Sequence, residues 1–271
     1  MNHSIDLNCD MGESFGAWTM GDDAAVLAHV SSANIACGLH AGDPDTMRRT
    51  VDLALRAGVA IGAHVSLPDL QGFGRREMKI SADETYALTL YQVGALAGFA
   101  RAAGARLTHV KPHGALYNMA ARDAALADAI AQAVHRFDAS LRLVGLAASE
   151  LPRAGERAGL AVAHEAFADR RYENDGALTP RREHDAVIED IDDAVAQALA
   201  IARGDGATTR QGRRLALHAD TLCVHGDRAN AAEFARRLRD GLRAAGIAVA
   251  ALPPRMSARP DETPSQRNTE Q

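Results

Sequence analysis

The residues best suited to chemistry stand just after short apolar runs of the chain. Asp10 and His40 follow the first two of these runs, His64 lies near the end of the third, and Lys111 and His113 follow the fourth. Carboxyl and imidazole groups transfer protons near neutral pH, and an ammonium group stabilises developing negative charge. We therefore take these five as candidate catalytic residues.

Polar residues also occupy one face of several of these runs. A parallel strand covered by helices is normally apolar on both faces, and burying an unpaired charge there is costly. Charged strand faces therefore need partners or a ligand. In an extended conformation, the shared faces hold Asp6, Asn8 and Asp10 in the first run, His109, Lys111 and His113 in the fourth, and Cys223, His225 and Asp227 in the last.

The elements that position these residues alternate between short β-like runs and longer helical segments. Seven or eight such repeats indicate a parallel sheet, which either closes into a barrel or stays open. In both architectures the ligand site lies at the carboxyl ends of the strands. The predicted strands are Ser4–Cys9, Ala33–Cys37, Val59–Val65, Arg106–Val110, Arg142–Leu146, Leu160–Glu165 and Thr221–Val224, with a further short run at Ile247–Leu252.

Helix boundaries are marked by capping residues. Asp43 and Pro44 predict an N-cap followed by proline at the first helical position. Ser81 and Glu84 form a capping box before a long helix. For Asp43, and for Asp227 before the last long helix, N-capping is the favoured role.

The composition is typical of a globular protein in a reducing compartment. The chain has 271 residues, 47% of them apolar and only 4% aromatic, with a formal charge of −5. This balance argues against a nucleic-acid or anionic-membrane surface. Three cysteines without Cys-x-x-Cys spacing argue against disulfides or a structural zinc site. The N-terminus lacks signal-peptide features, so we expect a cytoplasmic protein.

Seven further residues are candidates for binding a substrate. Arg75 and Arg76 lie in a glycine-rich loop, where anion binding and a solvated surface role are equally favoured. Cys9 and Cys37 fit buried packing positions better than nucleophilic ones. The chain contains no phosphate-binding Gly-x-x-x-x-Gly-Lys-Ser/Thr motif. The substrate-binding candidates are Asn8, Asn34, Arg75, Arg76, Glu165, Asp169 and His225.

Six segments together resemble a known family. They are DLNCDMGESFG at Asp6–Gly16, NIACGLHAGDP at Asn34–Pro44, GAHVSLPDLQGFGRR at Gly62–Arg76, VKPHGALYN at Val110–Asn118, EAFADRRYENDGALTPR at Glu165–Arg181 and LCVHGD at Leu222–Asp227. By these segments the chain is similar to the LamB/YcsF family. The match is specific, because several segments are long and together they span nearly the whole chain.

The resemblance implies a fold and an activity. The implied fold is a (β/α) barrel, α/β in class and about seven-stranded, related to the glycoside hydrolase/deacetylase superfamily. It would form one catalytic domain over residues 1–253, followed by a disordered tail over residues 254–271. The implied role is the A subunit of a prokaryotic 5-oxoprolinase, which opens 5-oxoproline to glutamate with partner subunits B and C. ATP with Mg²⁺ would be a co-substrate, and we expect no tightly bound cofactor.

The roles of single residues remain open at this stage. Lys111, Arg75 or Arg76 would supply a cation, and Asp10 and the histidines would supply an acid and a base. Two alternative functions are also considered. One is a metal-dependent, deacetylase-like hydrolase acting alone, with Asp10, His40 and His113 as zinc ligands. The other is a non-catalytic subunit that binds the substrate for its partners.

Overall fold

The fold is seen in a computed structural model that describes residues 4–224, 226 and 230–253. The sequence beyond residue 253, predicted to be a disordered tail, lies outside the described residues, as do His225 and Asp227. The strands in chain order are β1 (Ser4–Met11), β2 (Ser32–Ala36), β3 (Ala60–Val65), β4 (His109–Pro112), β5 (Arg142–Leu146), β6 (Ala161–Phe167), β7 (Ala207–Thr208), β8 (Arg214–Leu215), β9 (Thr221–Val224) and β10 (Ala248–Val249).

The sheet closes on itself. β1 pairs with β2 along one edge, with Asn8 opposite Ser32, and with β9 along the other, with Asp6 opposite Thr221. β2 to β6 continue in chain order, and β6 returns to β9. Within the described residues, seven parallel strands therefore form a closed barrel, which confirms the predicted architecture and excludes the open sheet. β10 extends the sheet beside the start of β1, and β7 and β8 form a separate antiparallel pair.

Helices surround the barrel and bury the outer faces of the strands. On β1, Ile5, Leu7 and Cys9 are buried in the apolar layer. Among the helices that the structure describes, none has the length and apolar character that crossing a bilayer requires. The helices are α1 (Asp23–Leu27), α2 (Pro44–Ala57), α3 (Ala82–Ala102), α4 (Gly114–Arg122), α5 (Ala124–Phe137), α6 (Glu150–Arg157), α7 (Ile191–Ala202) and α8 (Ala231–Ala244).

The inner face of the barrel is polar and densely hydrogen-bonded. At its amino-terminal end, Asp6 accepts hydrogen bonds from the hydroxyl groups of Ser31, Ser32 and Thr221 at 2.6–2.7 Å. Burial nevertheless raises the pKa of Asp6 above its usual value. Because side chains alternate between the two faces of β1, Asp6, Asn8 and Asp10 all lie inside the barrel, as the two-residue period of a strand predicts.

Two local features differ from the sequence-based expectation. β4 begins at His109 rather than at Arg106 and stays extended through Pro112. Residues 106–108 lie before the barrel and are exposed or half-buried, so their side chains gain little from joining the sheet. The β7–β8 pair has no counterpart among the predicted strands. Its strands are two residues long, too short to leave a readable alternation.

The N-cap of α2 leads to a first prediction. Asp43 accepts hydrogen bonds from the main-chain amides of Thr46 at 2.9 Å and Gly16 at 2.6 Å. Because Asp43→Ala leaves both donors without this acceptor, we expect the free energy of unfolding to fall by about 1 kcal/mol. Denaturant unfolding at pH 7 measures this. Asp45→Ala is the control, since Asp45 is exposed and its carboxylate lies 3.6 Å from Arg48, and it should change stability by less than about 0.5 kcal/mol.

The pH dependence of the stabilisation by Asp43 gives a second check of its role as the N-cap. The amide of Thr46, and then that of Gly16, lower the pKa of Asp43. A lowered carboxyl pKa stabilises the fold above the usual carboxyl range, and this stabilisation is lost as pH falls through the folded-state pKa. The difference between wild type and Asp43→Ala should therefore shrink in acid. A difference that grows in acid would contradict this assignment.

Candidate active site

A buried lysine lies at the centre of the site. Lys111 projects from β4 into the barrel and is 2% exposed. Its Nζ lies 2.8 Å from Glu165 Oε1, 2.9 Å from Asp10 Oδ1, 3.1 Å from Asn8 Oδ1 and 3.1 Å from Cys223 Sγ. Burial alone would lower the pKa of Lys111, but the neighbouring acidic groups, Asp10 first, outweigh it and raise the pKa well above its usual value. Lys111 is therefore an ammonium ion with its donors occupied.

A layer of neutral groups fixes the orientation of Asp10. Asn34 donates to Asp10 Oδ1 at 2.9 Å and to Asn8 Oδ1 at 2.7 Å. His109 Nε2 lies 2.8 Å from Asn34 Oδ1 and, facing a carbonyl oxygen, must donate. Burial lowers the pKa of His109 to about 3, so the ring is neutral. A Cβ at Gly62, on the neighbouring strand, would collide with this ring, which explains the glycine.

Three histidines meet beside Asp10 at the carboxyl ends of the strands. His64 Nε2 lies 3.3 Å from Asp10 Oδ2 and 2.9 Å from His113 Nδ1. The ring of His40 stacks on that of His113, with 4.1 Å between the ring centroids. Burial, with the neighbouring imidazoles, lowers the pKa of both His40 and His113 well below the usual value. The rings of His40 and His113 are therefore neutral and can accept a hydrogen bond or bind a ligand.

The loop after β3 holds these rings in place. Phe73 and Gly74 both have left-handed backbone conformations, with φ of 56° and 65°. For Phe73 this is strained and costs about 1–3 kcal/mol, but it directs the Phe73 carbonyl to His113 Nε2 at 2.9 Å. A side chain on Gly74 would meet Ser66, His40 and His113. The loop therefore closes tightly over the histidines.

The two predicted arginines of this loop have different positions. Arg76 is bound to Asp69, with its Nε 2.9 Å from Asp69 Oδ1, and Asp69 also accepts from the amide of Gly72 at 3.0 Å. Arg76 therefore stabilises the loop, and the structure does not bring it to the lysine–histidine cluster. Arg75 is exposed, with its guanidinium 4.8 Å from the centre of the Phe73 ring.

Acidic and aromatic groups of β6 and α4 complete the inner wall. Glu165 is fully buried. Its Oε1 binds Lys111 and Asn8, whereas Oε2 has no hydrogen-bond partner among the described residues. Tyr117 is buried nearby, and burial followed by the charge of Glu165 raises its pKa well above the usual value. Asp169 is buried just beyond β6.

The structure thus gathers most of the predicted site residues. Asp10, His40, His64, Lys111 and His113 form one cluster, and three of the substrate-binding candidates, Asn8, Asn34 and Glu165, contact it. His225 lies outside the described residues. The sequence reasoning did not select Glu13, whose Oε1 lies 3.8 Å from His113 Nδ1. The available signal was its place three residues after Asp10 in the first of the six segments. His109 and Cys223 were placed on polar faces but assigned no role.

The fold and the site define a seven-stranded parallel (β/α) barrel, as far as the described residues show, with a buried lysine–carboxylate–histidine cluster at the carboxyl ends of its strands. The chain belongs to the LamB/YcsF family, whose family model matches residues 5–257. This confirms the resemblance carried by the six segments.

Curated relatives and a solved structure match over nearly the whole chain. The A subunit of 5-oxoprolinase from Methylococcus capsulatus is 63% identical, covering 93% of this chain and 97% of the relative. The protein of the same name from Bacillus subtilis is 57% identical, covering 92% and 96%. The crystal structure of a lactam utilization protein from Thermus thermophilus superposes with a TM-score of 0.87 and 46% identity, covering 92% of this chain and 100% of that one.

Proposed function

We propose that this chain is the A subunit of an ATP-dependent 5-oxoprolinase and works with partner subunits B and C. The reaction converts 5-oxo-L-proline, ATP and two water molecules to L-glutamate, ADP and phosphate. The observation that carries the proposal is the 63% identity with a relative named as the A subunit of 5-oxoprolinase, of which 97% is covered. The cluster of bases and buried charge at the barrel mouth supports a hydrolytic role.

The chemistry requires activation of an unreactive amide. The lactam carbonyl is resonance-stabilised, and the open product readily closes again. Transfer of the ATP γ-phosphoryl group to the lactam oxygen releases ADP and makes the ring carbon electrophilic. Water then adds to this carbon, the ring C–N bond breaks as its nitrogen takes a proton, and a second water releases phosphate. Such a site needs a base for water, an acid for nitrogen and a cation for anionic groups.

The proposed roles follow from the positions of the side chains. Asp10 and the neighbouring histidines are the groups proposed to move protons between water and the ring nitrogen. Lys111 already donates to several acceptors within 3.1 Å, so we propose it as a positioning residue that holds the side chains of Asp10 and Glu165 in place. Arg75, exposed beside Phe73, is the cation proposed to meet an anionic group of a ligand.

Reconstitution tests the proposal. The chain alone should convert little 5-oxoproline to glutamate with ATP, because the chain carries no phosphate-binding loop motif. Adding both cognate partner subunits should restore conversion coupled to ADP release. Glutamate and ADP are measured for the chain alone, with each partner and with both, and reactions without ATP serve as controls.

The other outcomes are informative. Robust turnover by the isolated chain with ATP would contradict the assignment to a multi-subunit enzyme. Hydrolysis without ATP would favour a hydrolase acting alone. Full activity of the partners without this chain would remove it from the catalytic complex.

A further inference from the structure

Four side chains at the barrel mouth converge on one point. Glu13, His40, His64 and His113 each direct one potential ligand atom into a group whose members lie within 4.8 Å of one another, and all four residues are buried. They come from four different βα connections or strand ends. Convergence of three imidazoles and a carboxylate at this density needs a physical reason, because each group loses its hydration on burial.

The hydrogen bonds of two of these rings determine their tautomers. His64 Nδ1 lies 2.9 Å from the carbonyl oxygen of Lys111, and His113 Nε2 lies 2.9 Å from that of Phe73. A carbonyl oxygen only accepts, so both of these ring nitrogens carry the hydrogen. With their other ring nitrogens used as donors, His64 Nε2 and His113 Nδ1 face each other at 2.9 Å. Two imidazole lone pairs at this distance repel each other, and a proton or a metal ion between them removes the repulsion.

This arrangement is the one found around bound metals. A metal-binding histidine usually donates its second ring N–H to a backbone carbonyl or a carboxylate, which fixes the ring. Two ligand nitrogens about 2.0–2.1 Å from a tetrahedral zinc ion stand roughly 3.3–3.4 Å apart. The two inward nitrogens, 2.9 Å apart, would therefore separate by about 0.4–0.5 Å to hold the ion.

His40 supplies an independent observation. It is fully buried, and neither of its ring nitrogens has a hydrogen-bond partner among the described residues. An unpartnered buried polar group costs about 1–3 kcal/mol. The ring is held against His113 by stacking, with 4.1 Å between centroids, so its position is defined although its nitrogens are unused. A ligand that accepts a lone pair would remove this cost.

The charges around the histidines also favour a cation. Lys111 forms ion pairs with both Asp10 and Glu165, so its single positive charge is shared between two carboxylates. Glu13 lies against His113, and Asp10 Oδ2 lies 3.3 Å from His64 Nε2. A divalent ion between the rings would be attracted by both of these carboxylates.

We propose that Glu13, His40, His64 and His113 form a binding site for a divalent transition-metal ion, with zinc as the expected occupant. Imidazole nitrogens favour zinc and its neighbours, whereas Mg²⁺ favours oxygen ligands. Such an ion polarises a carbonyl or lowers the pKa of a bound water. With the imidazoles bound to the ion, Asp10 rather than the histidines would serve as the proton-transferring group proposed above. The proposal differs from the expectation, stated with the family resemblance, of no tightly bound cofactor.

Metal binding by the isolated chain tests the proposal. The purified protein is stripped with a chelator, dialysed and titrated with ZnCl₂ by calorimetry, and separately with CoCl₂ by visible absorption. We expect one zinc ion per chain, a Co²⁺ spectrum typical of four or five ligands, and a raised melting temperature with zinc. A large excess of MgCl₂ should not displace zinc.

Two variants assign the site. His40→Ala and Glu13→Gln should each weaken zinc binding, His40→Ala by about a hundredfold or more, beyond the 10- to 100-fold typical of losing an outer partner of a ligand. His135→Ala, an exposed histidine on α5, is the control and should bind zinc like the wild type. Circular dichroism and thermal melts check folding, and His113→Gln replaces His40→Ala if that variant does not fold.

Several results would overturn the proposal. One is that the wild type binds no zinc, and another is that it binds several zinc ions weakly and none tightly. A third is that His40→Ala, or His113→Gln in its place, binds zinc with the same affinity as the wild type. A proton shared by His64 and His113 would then account for their contact. Because binding is measured on this chain alone, failure of the reconstituted 5-oxoprolinase reaction would leave the result unaffected.

Discussion

Replacing Lys111 with methionine is expected to lower the free energy of unfolding by about 3–5 kcal/mol, the usual cost of removing one partner of a buried ion pair. The ammonium group lies 2.9 Å from Asp10 and 2.8 Å from Glu165. Methionine fills similar volume but leaves both carboxylates buried without their cation. Urea unfolding, followed by circular dichroism, measures the change.

A double variant tests whether the lost stability comes from the buried charges. Lys111→Met/Glu165→Gln also removes one of the two carboxylates that Lys111→Met leaves without a cation. Its free energy of unfolding should therefore fall by about 0.5–3 kcal/mol less than the sum of the decreases in the two single variants. Arg153→Met is the surface control. Arg153 is exposed in its 2.6 Å pair with the half-buried Glu150, and losing this pair should cost about 1 kcal/mol or less. Equal losses for Lys111→Met and Arg153→Met would show that the buried pair contributes no special stabilisation.

The residues inside the barrel could be predicted from the sequence because the alternation of a strand is a local property. If the run containing Asp6, Asn8 and Asp10 is extended, all three must share a face. The same reasoning places Lys111 with His109. Since parallel strands end at the same edge of a barrel, Asp10 and Lys111 are expected to meet, and they lie 2.9 Å apart.

The loops at the barrel mouth could not be predicted in the same way. Arg75 and Arg76 are neighbours in the sequence and both are exposed, yet Arg75 lies beside Phe73 and Arg76 is bound to Asp69. Their directions depend on the left-handed conformation of Phe73, a residue type that rarely adopts it. No local pattern signals such a turn, because tertiary contacts impose it.

The convergence of the four proposed metal ligands could not be predicted for a related reason. Recognisable zinc motifs place several ligands a few residues apart on one element. Here Glu13, His40, His64 and His113 are separated by tens of residues, and only closure of the barrel brings them together. Glu13 in particular lies beyond the end of β1, where the alternation of the strand no longer defines its direction.

Asp10→Asn is expected to lower the turnover of the reconstituted 5-oxoprolinase by about a hundredfold or more, the range typical of losing a group that moves or balances a proton. The substitution keeps the shape of the side chain and an oxygen for Lys111 and Asn34, which lie 2.9 Å from Oδ1. It removes the negative charge 3.3 Å from His64 Nε2. A cation bound between the histidines would then keep only the Glu13 carboxylate of the two that the described residues place beside it.

The matched control for Asp10→Asn is Asp6→Asn. Asp6 is also a buried carboxyl group on the inner face of β1, but it lies four residues earlier, about 13 Å back along the strand. Steady-state kinetics of the reconstituted complex and thermal melts are recorded for both variants, and Asp6→Asn should keep turnover within about twofold of the wild type, since its partners are the hydroxyl groups of Ser31, Ser32 and Thr221. Full activity of Asp10→Asn would place the chemistry elsewhere. Loss of activity only in step with unfolding, in both variants alike, would make Asp10 a structural residue of the barrel.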